Sequence, residues 1–243
     1  EETSVNLAAL EELQTVLALP ILPHRVECFD ISTIQGRDTV GSMVVCDDGR
    51  MRRSEYRKYR VRGLEFVEQK LSDRSIRGGI ERDAVGEGEG GAPKPDDFAA
   101  MEEVVFRRYH RLLDEGGPFP DLVVLDGGKG QLTAAYRAFG KLGLANLVAV
   151  GIAKKQEALY ARTVLEPILL PRHSPALQLI QRARDEAHRF ALAYHRRART
   201  KRNLQSEIER IPGIGAIRRK ALLKKFGSVT NIRRASREEL QPV

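Results

Sequence analysis

The sequence predicts a mixed α/β domain followed by a small all-helical region. Two runs of apolar, β-favouring residues, 26–29 and 122–125, each stop on a lone aspartate, Asp30 and Asp126. Strand-like and helix-like segments alternate as far as about residue 203, as is typical of an α/β domain, whereas the remaining residues favour only short helices. A chain of 243 residues is long enough to bury the core of one large or two ordinary domains.

The first part of the chain predicts a helix, three strands and an insertion. Leucines recur at helical spacing before Pro20, so residues 1–20 are expected to form a helix and a linker. Asp47-Asp48-Gly49 favours a hairpin turn between antiparallel strands. Segment 72–96, rich in glycine and charge, predicts a mobile insertion or long loop. The predicted strands are residues 25–33, 39–46 and 51–61.

The second part predicts alternating helices and strands. Asp96 and Asp97 are expected to cap the start of a helix, and Ser174-Pro175 opens a long helix that reaches about Arg199. Residues 157–170 favour a small hairpin. The remaining predicted elements are helices over 98–113 and 131–142 and strands over 122–126 and 147–153.

This order of elements, with acids on the first and fourth predicted strands, is the ribonuclease H-like arrangement, a mixed sheet flanked by helices. We expect residues 21–203 to form this domain. Because the first and fourth strands lie side by side in such a sheet, Asp30 and Asp126 would meet. Two carboxylates on buried strands are costly to desolvate and repel each other unless a proton or a cation neutralises them. The alternative is a pair of unrelated turn-starting aspartates, which Asp-Gly often is.

A histidine on the long helix could complete the site. His188 lies next to the apolar stripe of the helix, where it would either approach the two aspartates or act only in packing. Two carboxylates and an imidazole suit a hard cation such as Mg²⁺ or Mn²⁺. Such an ion lowers the pKa of bound water and neutralises charge on a phosphoryl group.

Two further residues are accessory candidates. Lys129, in the run Gly127-Gly128-Lys129-Gly130, would stabilise a phosphate, although a tight turn also explains the glycines. The run lacks the spacing and the Ser or Thr of a P-loop, which argues against nucleotide hydrolysis. Asp97 would face the site or only cap its helix.

Positive charge is concentrated in the C-terminal third of the chain. Between Arg172 and Arg237 there are 18 Lys or Arg against 4 Asp or Glu, whereas the net charge of the whole chain is +8. Such segregation indicates a polyanion partner, most simply nucleic acid. No apolar run approaches the roughly 20 residues of a membrane span. Cys28 and Cys46 lie in strand-like runs, where we interpret them as core residues of a protein in a reducing cytosol.

Residues 204–243 predict a DNA-binding domain. A short helix over 206–211 meets Pro212-Gly213-Ile214-Gly215, and a second helix follows over 216–226, which is the helix-hairpin-helix pattern. Gly213, Ile214 and Gly215 would let the backbone approach a phosphate at the positive end of the second helix. Binding would then involve the DNA backbone with little sequence readout. A plain turn between helices is the alternative. The cations expected to assist are Arg218, Arg219, Lys220, Lys224 and Lys225.

Six motifs together resemble the C-terminal half of the bacterial UvrC excinuclease family, over about residues 20–240. They are residues 27–32, 96–101, 125–131, 174–177, 184–191 and 211–215. The resemblance implies a metal-dependent endonuclease that cuts damaged double-stranded DNA 5′ to the lesion in nucleotide excision repair. It implies an Asp-Asp-His triad of Asp30, Asp126 and His188 with a divalent metal, and Asp97 as a further acidic position. It also implies the helicase UvrB of the same excinuclease as a partner and a location in the bacterial cytoplasm near the nucleoid.

Three departures from the family accompany the resemblance. The chain is expected to be part of a longer protein, without the family's N-terminal nuclease domain and most of its helicase-docking segment. Segment 72–96 is longer than the family pattern, and a second helix-hairpin-helix motif is expected to be truncated. Two other functions remain open: an inert DNA-binding scaffold with a nuclease-like fold, and a stand-alone resolvase or endonuclease of the same fold acting on branched or deaminated DNA.

Overall fold

The chain divides into two compact units, residues 1–191 and 192–243. A computed structural model describes residues 2–34, 38–78, 96–153, 157–209, 214–227 and 229–240. The division falls inside a long helix, earlier than the boundary expected at 203/204. Ala191, the last residue of the first unit, is buried, and the next residue of the helix, Leu192, is exposed.

Unit 1 is built on a seven-stranded mixed sheet, counted over the described residues. Its strands are β1 Arg25–Ile34, β2 Asp38–Asp47, β3 Arg50–Met51, β4 Arg57–Arg60, β5 Leu122–Asp126, β6 Ala149–Ala153 and β7 Ala158–Ala161. The strand order is β3-β2-β1-β5-β6-β7, and β4 also pairs with β2. The pairs β1–β5 and β5–β6 are parallel, and the other pairs are antiparallel. The mixed α/β prediction is therefore confirmed.

Two of the helices begin next to their predicted capping residues. They are α1 Glu2–Val16, α2 Leu64–Gly78, α3 Asp97–Glu115, α4 Lys129–Leu142, α5 Pro175–Glu209, α6 Ala216–Phe226, α7 Val229–Arg234 and α8 Arg237–Leu240. The Asp96 side chain accepts a hydrogen bond from the backbone N–H of Phe98 at 2.9 Å. The Ser174 hydroxyl accepts one from the N–H of Leu177 at 3.1 Å. Both side chains thus satisfy helix-start donors that would otherwise lack partners.

The sheet buries one apolar layer on each face. Alternate residues of a strand point to opposite faces, so Cys28 packs towards α1 and α5, whereas Phe29 packs towards α3 and α4. Cys28 and Cys46 are free and buried, which confirms their interpretation as core residues. No helix in the described part of the chain is long and apolar enough to cross a membrane.

The strand predicted over 51–61 is interrupted in the structure. It forms β3 and β4 with a short 3-10 helix, Arg53–Glu55, between them. Glu55 receives a 2.6 Å bond from the Arg25 guanidinium, and Tyr56 is buried against α5. These two contacts turn the chain out of the sheet at this point, and both involve partners distant in sequence.

Two other boundaries differ from the prediction. Residues 72–78 of the predicted insertion continue α2 as helix, and residues 79–95 lie outside the described residues. Helix α5 does not stop near residue 199 but continues to Glu209, and it takes in most of the helix predicted over 206–211. Residues 200–209 contain no glycine or proline, so nothing local ends the helix.

Candidate active site

The two aspartates meet because β1 and β5 are parallel neighbours. The last residues paired between these strands are Phe29 and Leu125, so Asp30 and Asp126 follow side by side. Asp30 is 2% exposed and Asp126 is 9% exposed. The adjacency predicted for the two strands is therefore present, and it concentrates negative charge in a nearly buried place.

Helix α5 brings His188 to the same point. The Ser42 hydroxyl of β2 donates a 2.9 Å hydrogen bond to the backbone carbonyl of Ala187, which attaches the helix to the sheet one residue before the histidine. Nδ1 of His188 lies 3.6 Å from Oδ2 of Asp30, and the histidine side chain is 47% exposed. Asp30, Asp126 and His188 each offer a ligand atom, and these atoms all lie within 4.8 Å of one another.

The surroundings of Asp30 include a residue that the sequence analysis missed. The Ser32 hydroxyl donates a 2.7 Å hydrogen bond to Oδ2 of Asp30 and so orients that carboxylate. The sequence contained a signal for this contact, because Asp30 and Ser32 are two residues apart on one strand and therefore share a face. The negative charge of the two aspartates also affects the neighbouring Cys28 thiol. Burial raises the pKa of this thiol, and the charges of Asp126 and Asp30 raise it further. A cation is favoured wherever both carboxylates remain ionised.

The turn after Asp126 is held closely against the sheet. The N–H of Gly127 donates to the carbonyl of Ile152 at 3.0 Å, and the N–H of Gly128 donates to the Gln131 side chain at 3.1 Å. A Cβ at Gly151 would lie 2.6 Å from the carbonyl oxygen of Gly127. The tight-turn interpretation of these glycines is therefore confirmed, and the turn follows directly after Asp126.

Lys129 and Asp97 lie outside the group formed by Asp30, Asp126 and His188. Nζ of Lys129 donates to the carbonyl of Leu165 at 3.1 Å and lies 5.7 Å from the centre of the Tyr160 ring. Asp97 is exposed in the first turn of α3. The next residue, Phe98, packs against Gly130, which places the start of α3 beside the start of α4. The accessory roles of Lys129 and Asp97 remain predictions.

The predicted hairpin of the second unit is partly described. Helix α6 runs from Ala216 to Phe226, as predicted, and Ile214 and Gly215 precede it, whereas Gly213 lies outside the described residues. The side chain of Arg219 also lies outside them. Nζ of Lys225 donates to the carbonyl of Glu239 at 2.6 Å. The helix-hairpin-helix function of this region remains a prediction. The cations of α6 that are exposed are Arg218, Lys220, Lys224 and Lys225.

The strand order, the parallel pair β1–β5 and the helix that crosses it define a ribonuclease H-like domain. A family model described as the UvrC RNase H endonuclease domain matches residues 14–83 and 85–192. The match covers most of the chain, which therefore belongs to this family.

Many curated relatives share one name, UvrABC system protein C. The UvrABC system protein C of Koribacter versatilis is 44% identical over 232 residues, which are 95% of this chain and 33% of that protein. The protein of that name from Gemmatimonas aurantiaca is 44% identical over 248 residues, which are 98% of this chain and 36% of that protein. The chain thus spans about a third of the length of these relatives.

Two solved endonuclease structures resemble the chain weakly. Human ENDOV matches with a TM-score of 0.35 and 15% identity, over 63% of this chain and 59% of that one. Ciona intestinalis Endonuclease V, in complex with an inosine-containing 24mer DNA, matches with a TM-score of 0.33 and 17% identity, over 55% of this chain and 46% of that one. Likeness at this level says nothing further about the chain.

Proposed function

We propose that this chain is the endonuclease portion of a nucleotide excision repair incision protein and hydrolyses a phosphodiester 5′ to a lesion in double-stranded DNA. The convergence of Asp30, Asp126 and His188 within 4.8 Å carries the proposal. These residues come from three elements far apart in the sequence. Membership of the UvrC endonuclease family supports an endonuclease activity.

The three side chains suit a divalent metal, Mg²⁺ or Mn²⁺. Carboxylate oxygens and an imidazole nitrogen are ligands that these ions accept. The three ligand atoms lie within 4.8 Å of one another, so a single cation placed between them would be within reach of all three side chains. Asp30, Asp126 and His188 would hold the ion, which supplies acidified water and neutralises phosphoryl charge when bound.

The protein's own groups prepare this site. The hydrogen bond from Ser32 restricts the Asp30 carboxylate, and the bond from Ser42 to Ala187 holds the turn of α5 that carries His188. His188 acts as a metal ligand or as the base that orients the attacking water. Its ring is half-exposed, so solvent reaches the imidazole.

The basic second unit would hold the duplex through its phosphates. Its exposed lysines and arginines attract DNA without reading the sequence. In a protein of the relatives' full length, the helicase UvrB would deliver the lesion through regions outside this chain. The place of action is then the bacterial cytoplasm, at the nucleoid.

The test is nicking of a duplex that carries one bulky adduct, with Mn²⁺, with and without the helicase. We expect a single nick 5′ to the adduct with the parent chain and none with Asp30→Asn or Asp126→Asn. Asp114→Asn is the matched control, because Asp114 lies on α3, which packs on the opposite face, and is 57% exposed. Binding without nicking by the parent would indicate the inert scaffold. Cutting of undamaged branched DNA without helper proteins would indicate the resolvase.

A further inference from the structure

A row of side chains crosses the sheet from the candidate active site to its edge. Asp30 of β1 is paired with Ser42 of β2, and Ser42 is paired with Lys58 of β4. Directly paired residues on neighbouring strands point to the same face of a sheet. Lys58 therefore lies on the face that carries Asp30, two strands away, on the order of 10 Å at the usual spacing.

Contacts with α5 confirm this placement. Ser42 donates to the carbonyl of Ala187, and Nζ of Lys58 lies 3.9 Å from the centre of the Phe190 ring. His188 comes between these two helix residues in the sequence. Tyr56 also packs against Phe190, with ring centres 5.2 Å apart, so the ring that supports the lysine is fixed from a second side.

The end of the row is basic. Strand β4 has the sequence Arg-Lys-Tyr-Arg, and both its arginines are exposed. The carboxylate of Glu186 accepts a hydrogen bond from the Tyr56 hydroxyl. It also accepts two 2.6 Å hydrogen bonds from the guanidinium of Arg189. Arg60, two residues after Lys58, lies on the same face of the strand, so across the row the surface changes from two carboxylates to two cations. A DNA strand whose scissile phosphate lies at the carboxylates would find cations for its neighbouring phosphates on this side.

We propose that Lys58 binds a backbone phosphate next to the scissile one and that the row from Asp30 to Lys58 is the path of the strand being cut. The inference rests on the proposed function, because Asp30 marks the place of the cut. An ammonium group binds phosphate as a point charge and needs no bidentate geometry. Stacking on Phe190 holds the side chain beside the path and reduces the entropy lost on binding.

The test is the salt dependence of binding to the adduct-bearing duplex, measured by fluorescence anisotropy in EDTA. Each phosphate contact contributes about 0.9 to the slope of log affinity against log salt. We expect Lys58→Gln to reduce the slope by about 0.9 and to weaken binding, and Lys58→Arg to keep both near the parent values. Arg111→Gln is the control, since Arg111 is an exposed cation on α3, which packs on the other face.

A further variant separates charge from packing. Phe190→Leu removes the ring contact but keeps the lysine, so its salt slope is expected to match that of the parent. A parent-like slope in Lys58→Gln overturns the inference, as does an equal loss in Arg111→Gln. An equal reduction in Phe190→Leu also overturns it, because the lysine would then act only by holding α5. Binding in EDTA requires no cleavage, so these outcomes are independent of whether the chain cuts DNA.

Discussion

Replacement of Gly151 by alanine tests how closely the turn after β5 determines the candidate site. The new methyl group would lie 2.6 Å from the carbonyl oxygen of Gly127 and 3.2 Å from that of Gly128. Ordinary van der Waals contact begins at 3.4 Å, so the turn must retreat by about 0.8 Å. Asp126 comes directly before this turn and moves with it.

The expected loss of activity follows from that displacement. Reacting groups must stay within roughly 0.5 Å of their productive positions, and an error of about 1 Å costs roughly a hundredfold in rate. We expect Gly151→Ala to slow single-turnover nicking of the adduct-bearing duplex about a hundredfold. Overpacking of this kind costs roughly 1–3 kcal/mol of stability, which is less than most domains have in total.

A glycine on α4 provides the control. A Cβ at Gly140 would meet nothing within 4 Å, so Gly140→Ala is expected to nick at the parent rate. It should also stabilise the helix by about 0.5–1 kcal/mol. Thermal unfolding with and without Mn²⁺ shows whether each variant is folded and whether it keeps the stabilisation by metal. Parent-like nicking and an unchanged Tm in Gly151→Ala would refute the reasoning.

Three further predictions concern the histidine, the hairpin and acid stability. His188→Ala is expected to abolish nicking but to keep DNA binding in a gel-shift assay; equal loss of both would contradict the role assigned to the histidine. Gly213→Val is expected to weaken binding to duplexes of every sequence alike, and a selective loss at one sequence would argue against backbone recognition. The hydrogen bond from Arg189 lowers the pKa of Glu186 below its ordinary 4.5. The interaction of ionised Glu186 with Arg189 therefore stabilises the folded protein above the ordinary pKa of 4.5. This stabilisation is lost as the pH falls through the lowered pKa of Glu186. Urea titrations between pH 7 and 3 should show a smaller acid loss in Glu186→Gln than in the parent.

Local patterns determined most of the fold. The strand predicted over 122–126 is β5, because a short, valine-containing apolar run bounded by turn residues favours a buried strand. Capping by Asp96 and Ser174 was also predictable from local sequence, since each side chain accepts a hydrogen bond from a backbone N–H two or three residues away. One error falls where a distant contact decides. The bond from Arg25 to Glu55, across 30 residues of sequence, helps to interrupt the predicted third strand.

The sequence alone also determined which side chains could form a metal site. Carboxylates on buried strands and a histidine beside the apolar stripe of a helix are visible in the order of residues, and family motifs indicated the same three positions. Only the tertiary structure decided that they converge, since convergence depends on the parallel pairing of β1 with β5 and on the attachment of α5 through Ser42. It likewise decided that Ser32 orients Asp30, that Lys129 bonds to Leu165, and that Lys58 lies on the same face as the candidate site. Local backbone preferences act over a few residues, whereas these contacts join residues that only the folded sheet brings together.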